Sequence, residues 1–144
     1  MFKRILVVCV GNICRSPTAE FLLRRSLPEL DISSAGLGAL VGHDMESSAR
    51  AVAQANGLEC PKHQARQLTP ALCREADLIL VMESKHRDGV AQLCPEARGK
   101  VFLLAQGQQE TDIPDPYRKG RAVFEAVYQQ IETACAGWAN RLAR

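Results

Sequence analysis

Short continuous apolar runs alternate along this chain with stretches in which apolar residues recur every three or four positions. Ile5-Leu6-Val7-Val8 is an unbroken run, as expected of a strand covered on both faces. Residues 4–8, 31–35, 77–82 and 100–104 form four such predicted strands. Between them lie helical patterns. The first starts with Ser16 as expected N-cap and Pro17 at the first helical position, and buries Ala19, Leu22, Leu23 and Leu27. Residues 45–56 read as a helix closed by Gly57. The stretch 68–75 holds a short helix after Thr69-Pro70, and 84–93 holds another. A long last helix begins near 119, with Val123, Val127, Ile131, Ala134, Trp138 and Leu142 on one face. Strand and helix alternate without repeat or linker. This predicts an α/β fold: a four-stranded parallel sheet with helices on both faces, doubly wound. In such a fold a binding site lies at the C-terminal ends of the strands.

Composition narrows the choice. A length of 144 residues suits a single domain spanning 1–144. Hydrophobic residues make up 47% and charged residues 24%, the balance of a soluble globular protein. A net charge of +2, scattered along the chain, argues against nucleic acid or an acidic membrane surface as partner. Lys3 and Arg4 imitate the start of a signal peptide, but the apolar run after them is too short for one or for membrane insertion. The expected location is cytoplasmic. Six cysteines contain no C-x2-C pair, which disfavours zinc ribbons and disulfide scaffolds. Cys73 and Cys135 fall in helical patterns and read as small buried hydrophobes. His43, His63 and His86 lack ligand spacing, so no metal is expected.

The segment Cys9-Val10-Gly11-Asn12-Ile13-Cys14-Arg15-Ser16-Pro17 follows the first strand and opens the first helix. A strand, a tight loop and a helix N-terminus in that order make a phosphate cradle of inward N–H groups. Arg15 can grip two phosphate oxygens as a planar fork. The same positive surroundings favour Cys9 as a thiolate, the form that attacks. Gly11-Asn12 supplies backbone freedom for a closed loop, and Ser16 places a hydroxyl within reach of the sulfur. Taken alone, a cysteine after Leu6-Val7-Val8 is more often a buried hydrophobe.

Far downstream, Asp115 sits between prolines in Ile113-Pro114-Asp115-Pro116-Tyr117. By itself this is a polar turn. Beside the cysteine loop it also suits a general acid that protonates an oxygen leaving phosphorus, with Tyr117 as an aromatic wall.

Together, the Cys9–Pro17 motif and Asp115-Pro116-Tyr117 closely resemble the low-molecular-weight protein-tyrosine phosphatases. The resemblance covers essentially the whole chain, including Ser34-Ala35-Gly36, His63-Gln64-Ala65-Arg66-Gln67 and the 77–83 stretch. Residues 36–42 look like the bacterial, Wzb-type branch. The resemblance implies a phosphotyrosine hydrolase needing no metal or organic cofactor. It implies that Cys9 forms a phosphocysteine and that Arg15, with loop amides of Val10, Gly11, Asn12, Ile13, Cys14 and Ser16, holds the phosphoryl oxygens. Ser16 would stabilise the thiolate, and Asp115 would act as acid and then as base. Asn12 would lock the loop, supported by Ser34 and His63. It implies as partner an autophosphorylating bacterial tyrosine kinase of exopolysaccharide or capsule production. Leu40 occupies the variable wall position where animal members often carry an aromatic, and Tyr117 is followed by Arg118 rather than a second tyrosine, so the pocket is expected to be less aromatic. Cys14 is either a small packing residue or, as the resemblance implies, a redox partner of Cys9.

Other readings remain in view. A thioredoxin-coupled arsenate reductase needs two further cysteines close together, whereas Cys60, Cys73 and Cys94 are isolated in sequence. A phosphocysteine phosphotransfer carrier has no use for Asp115. A nucleotide-binding module would explain Gly36, Gly38 and Gly42, but the last glycine is one position late for G-x-G-x-x-G and no Walker lysine is present. A non-catalytic phosphotyrosine-binding protein would be expected to lack the nucleophile or the acid.

Overall fold

A computed structural model of the chain describes residues 2–143. The elements follow in the order β1 (Arg4–Cys9), α1 (Arg15–Ser26), β2 (Asp31–Gly36), α2 (Ser47–Ala55), α3 (Pro70–Glu75), β3 (Leu78–Val81), α4 (Ser84–Leu93), a 3-10 turn (Pro95–Lys100), β4 (Val101–Leu103) and α5 (Arg121–Leu142). The strands form one parallel sheet in the order β2-β1-β3-β4.

Strand residues point alternately to the two faces, and each face is covered. Ile5, Val7, Leu78 and Leu80 meet Leu22 and Leu23 of α1, Val52 of α2 and Ile131 of α5. Leu6, Val8, Ile79 and Val81 meet Cys73 of α3 and Val90 of α4. Each such buried aliphatic side chain contributes about 1.5–3 kcal/mol. The neighbouring strands β1 and β3 therefore feed helices on opposite faces, α1 and α4. Between their C-terminal ends lies the topological switch point, where a crevice opens.

Three contacts fix the frame around that crevice. Asp77 Oδ2 accepts the N–H groups of Lys3 and Arg4 at 2.8 and 2.9 Å. Asp77 thus ties the starts of the two central strands together, and β3 itself begins one residue later than predicted. Ile113, fully buried, donates its N–H to Met82 O at 2.8 Å and holds the 105–120 segment against the end of β3. Trp138 Nε1 donates to Leu104 O at 2.8 Å, joining α5 to the end of β4.

The helices differ from expectation in three places. Helix α1 begins at Arg15, with Cys14 at its cap and no side-chain capping bond, so Ser16 is not an N-cap. Its hydroxyl is turned to the cysteine loop instead. Helix α2 starts at Ser47 rather than 45, because Glu46 caps it by accepting the Ala49 N–H at 2.9 Å. On α5, Val123 is exposed and Phe124 takes the buried position, with Tyr128 and Cys135 widening the apolar face. Cys73 and Cys135 are buried as expected. No helix among the described residues is long and apolar enough to cross a membrane.

Trp138→Phe keeps most of the apolar contact but leaves the buried Leu104 carbonyl unpaired. Urea unfolding is expected to show a loss of about 1–2 kcal/mol.

Candidate active site

The loop after β1 is held by its carbonyls. Cys9 O accepts from Leu37 N at 2.9 Å, Val10 O from Gly38 N at 3.0 Å and Gly11 O from Leu40 N at 3.0 Å. Asn12 O lies 2.7 Å from His63 Nε2, and Ile13 O accepts from Glu46 N at 2.8 Å. Cys14 O accepts from Thr18 Oγ1 at 2.8 Å. Six successive carbonyls, from Cys9 to Cys14, are thus turned outward onto neighbouring structure. In a trans peptide the N–H of the next residue points opposite to the carbonyl. The N–H groups from Val10 to Arg15 therefore face the other way, into the loop, at the N-terminus of α1. That is an anion cradle built from backbone dipoles.

Asn12 makes the curve possible. Its φ of 60° lies in the left-handed region that non-glycine residues seldom occupy. Its side chain holds it there. Oδ1 accepts the Arg66 N–H at 2.9 Å, while Nδ2 donates to Ser16 Oγ at 2.8 Å and to Ser34 Oγ at 2.9 Å. Ser34 in turn donates to Glu20 Oε1 at 2.5 Å, and Glu20 is paired with Arg24 at 2.6 Å. These bonds have a direction. A carboxylate only accepts, so the Ser34 proton goes to Glu20, and Ser34 receives one amide hydrogen from Asn12. Ser16 receives the other. The Ser16 proton is left for the Cys9 sulfur, 2.9 Å away. The sulfur lies buried at the base of the cradle.

His63 and Asp44 supply the outer support. A carbonyl only accepts, so His63 Nε2 donates to Asn12 O and carries the ring proton. Asp44 Oδ1 accepts the His63 N–H at 3.0 Å and the Met45 N–H at 2.7 Å, and pairs with Arg50 at 2.7 Å. Burial pushes the Asp44 carboxyl upward, but these hydrogen bonds and Arg50 together hold it below its ordinary value.

At the other end of the motif, Arg15 is almost fully buried. Its Nη1 donates to Glu83 Oε2 at 3.0 Å and to Ile113 O at 2.8 Å. Nη2 lies 3.9 Å from Asp115 Oδ2. Asp115 is half exposed at 50%, and its Oδ1 accepts the Tyr117 N–H at 3.0 Å, which fixes the turn over Pro116. The sequence-distant Asp115 thus reaches Arg15 because Ile113 is pinned on both sides, to Met82 and to Arg15. Leu40 and Tyr117 are 39% and 40% exposed, with Val10 and Val41 also exposed, so apolar surface is open to solvent on the loops beside the cradle. The Arg118 guanidinium lies 5.3 Å from the Tyr117 ring centre. Cys14 is buried and unbonded to any other cysteine. Burial above all pushes its thiol up, helped by Glu46, Cys9 and Asp115 and opposed by Arg15.

Residues 9–16 form the cradle, Ser34, His63 and Leu40 bond to it, Asp115 lies beside Arg15 and Tyr117 lies on the Asp115 turn; the capping role expected of Ser16 is absent. Among the contributors that sequence reading did not assign are Glu20, Asp44, Glu83 and the backbone of Arg66. Glu20 and Arg24 stand four apart on α1, a spacing common to ion pairs on helix surfaces, so nothing in the sequence singles them out. Glu83 lay within the stretch that carries the family likeness but had no assigned partner.

The sequence matches the family described as low molecular weight phosphotyrosine protein phosphatase over residues 4–144. The low molecular weight protein-tyrosine-phosphatase Wzb of Salmonella typhimurium is 54% identical over 142 residues, covering 99% of this chain and 95% of that protein. The crystal structure of the tyrosine phosphatase Wzb from Escherichia coli K30 in complex with sulphate superposes with a TM-score of 0.97 at 49% identity, covering 99% of each chain. The Vibrio vulnificus Wzb in complex with benzylphosphonate gives a TM-score of 0.95 at 46% identity, covering 98% of this chain and 99% of that one. Fold and relatives define an enzyme of the protein-tyrosine phosphatase class. The chain belongs to the low-molecular-weight protein-tyrosine phosphatase family, in its Wzb-type bacterial branch.

Gly36 tests the cradle without replacing any of its residues. A Cβ on Gly36 would collide with Val10 O and lie 3.1 Å from Asn12 Cβ. Gly36→Ala is expected to keep the circular dichroism of the fold while lowering kcat/KM on an aryl phosphate by about 10²-fold, since a small misplacement of the loop costs that much.

Proposed function

We propose that the chain hydrolyses phosphotyrosine on a protein substrate through a phosphocysteine intermediate. The observation that carries this reading is the set of six outward-held carbonyls from Cys9 to Cys14, which aims the loop amides at the space above the Cys9 sulfur. The Cys9 thiolate attacks phosphorus, the bond to the tyrosine oxygen breaks, and Asp115 gives that oxygen a proton. Asp115, now a carboxylate, takes a proton from water, which attacks the phosphocysteine and releases phosphate and the thiolate. Arg15 and the amides from Val10 to Ser16 hold the three equatorial oxygens, most strongly as charge spreads over them in the transition state. Ser16 donates to the sulfur as it attacks and as it leaves. Asn12, Ser34 and His63 hold the loop in shape. Because backbone dipoles and Arg15 supply the positive charge, the chemistry needs neither metal nor organic cofactor.

Leu40 and Tyr117 form the walls for the phenyl ring of the substrate, and their exposure supports a partner that presents its tyrosine on an accessible segment. The substrate is an autophosphorylating bacterial tyrosine kinase of exopolysaccharide or capsule production, met in the cytoplasm. This assignment extends the family likeness to the pathway. Under peroxide, Cys9 becomes a sulfenic acid, and the Cys14 thiol attacks its sulfur and releases water, leaving a Cys9–Cys14 disulfide that protects the nucleophile.

The reading is tested by phosphate release from a phosphotyrosine and a phosphoserine peptide, with and without EDTA. Selective, EDTA-resistant turnover of the phosphotyrosine peptide is expected, with Cys9→Ser slower by at least about 10³-fold. Failure of the freshly reduced protein to turn over without an added acceptor would point instead to a phosphotransfer carrier. Asp115→Asn is expected to slow phosphate esters of poor leaving groups far more than activated ones; equal losses across a leaving-group series contradict its acid role. After mild peroxide, mass spectrometry is expected to find the Cys9–Cys14 bond; sulfinic Cys9 without it rules out the protective role.

A further inference from the structure

His86 is buried in the first turn of α4, beside the carboxylate that anchors Arg15. Its Nδ1 accepts the Glu83 backbone N–H at 3.1 Å. An accepting nitrogen carries no proton, so in the neutral ring the proton sits on Nε2. Nε2 lies 3.2 Å from Glu83 Oε2, yet off the line of a hydrogen bond, and among the described residues it has no aligned partner. The same Glu83 oxygen receives Arg15 Nη1 at 3.0 Å. One carboxylate oxygen therefore stands between a guanidinium and an imidazole.

We infer that His86 is a positioning residue for Arg15: as a neutral ring it leaves Glu83 Oε2 to the guanidinium, and when protonated it competes for that oxygen and opens the turn that carries Glu83. Protonation places a hydrogen on Nδ1, so the Glu83 N–H and Nδ1–H become two donors facing each other. The ring must turn, and the backbone of Glu83 loses its partner. The charged ring is also a stronger donor to Oε2 than the neutral one. Arg15 then keeps Ile113 O but loses the second of its two anchors, and its fork is no longer fixed relative to the loop.

The charged groups around His86 are Arg15 from α1, Glu83 and Lys85 from the start of α4, and Asp112 from the segment packed against it. Burial first, then Arg15, keep the ring below the ordinary histidine value, with Lys85 adding to this and Glu83 and Asp112 opposing it. The sign follows. The anchored arrangement is present above the ordinary value and is lost as pH falls through the lower value of the folded protein. The inference rests on Arg15 gripping the phosphoryl group, as proposed above.

The test compares kcat and KM of wild type, His86→Asn and His86→Ala on an aryl phosphate from about pH 7.5 to 5. Asparagine offers an acceptor near the Nδ1 position and does not titrate. The ratio of wild-type to His86→Asn kcat/KM cancels the ionisation of the substrate and of the reacting groups. It is expected to be flat near the upper end and to fall about threefold or more towards the lower end. At the upper end, His86→Ala is expected to lower kcat about fivefold or more with a smaller change in KM, because the grip of Arg15 is strongest in the transition state. His86→Asn should recover part of that loss. A ratio that does not change with pH overturns the inference, as does His86→Ala with wild-type kcat; if His86→Ala does not fold, the asparagine profile decides alone. Arg15→Lys separates the two levels. If it retains most of the wild-type kcat, the role given to Arg15 fails. If it is nearly inactive while the ratio stays flat, only the role of His86 fails.

Discussion

Everything at the site depends on a constraint on backbone direction. A short loop collects amide hydrogens on its inner side only if its carbonyls are satisfied on the outer side, because buried carbonyls without partners cost several kcal/mol in all. Here the outer partners come from separate parts of the chain: the segment after β2, the segment holding His63, the residue that caps α2, and the first turn of α1. The cradle is thus a property of the packed fold rather than of the nine-residue motif. The absence of a side chain at Gly36 belongs to the same constraint, since it lets the segment after β2 lie close enough to donate to the loop.

A second chain of dependence sets the direction of hydrogen bonding. The Glu20 carboxylate accepts from Ser34, Ser34 accepts from Asn12, and Asn12 gives its remaining hydrogen to Ser16. Asn12 cannot reverse its amide, because Arg66 N–H needs the oxygen. Each donor has one place left to go, and the last proton reaches sulfur. This ordering matters more than the strength of any one bond. A hydroxyl that accepted at sulfur would oppose a thiolate there, whereas one that donates favours it.

The cysteine loop and the segment that carries Asp115 are tied together through Arg15. Its buried guanidinium spends one nitrogen on Glu83 and Ile113, and those contacts orient the fork and also fix the loop that carries Asp115. A buried arginine is costly to desolvate unless it is paired, so Glu83 is needed for the fold as well as for the geometry. Arg15 and Asp115 are therefore coupled, and displacement of one is transmitted to the other through Ile113.

The order of strands and helices was legible along the chain, because continuous apolar runs and helical spacing reflect burial that any tertiary arrangement must satisfy. Cys9, Arg15 and Asp115 stood out in the sequence as candidates, because few residue types can attack, grip or protonate a phosphate ester. What the tertiary structure alone decided were the long-range partners. Ser16 read both as a helix cap and as a hydroxyl within reach of the sulfur; the helix starts at Arg15, so the cap is absent, while the hydroxyl lies 2.9 Å from the sulfur. Val123 read as apolar face, but it is exposed and Phe124 takes the buried position. Glu20, Asp44, Glu83 and His86 look like unremarkable polar residues in the sequence. Their work depends on which carbonyl, hydroxyl or guanidinium lies opposite, and that is set only when β1, α1, α4 and the 105–120 segment are packed together.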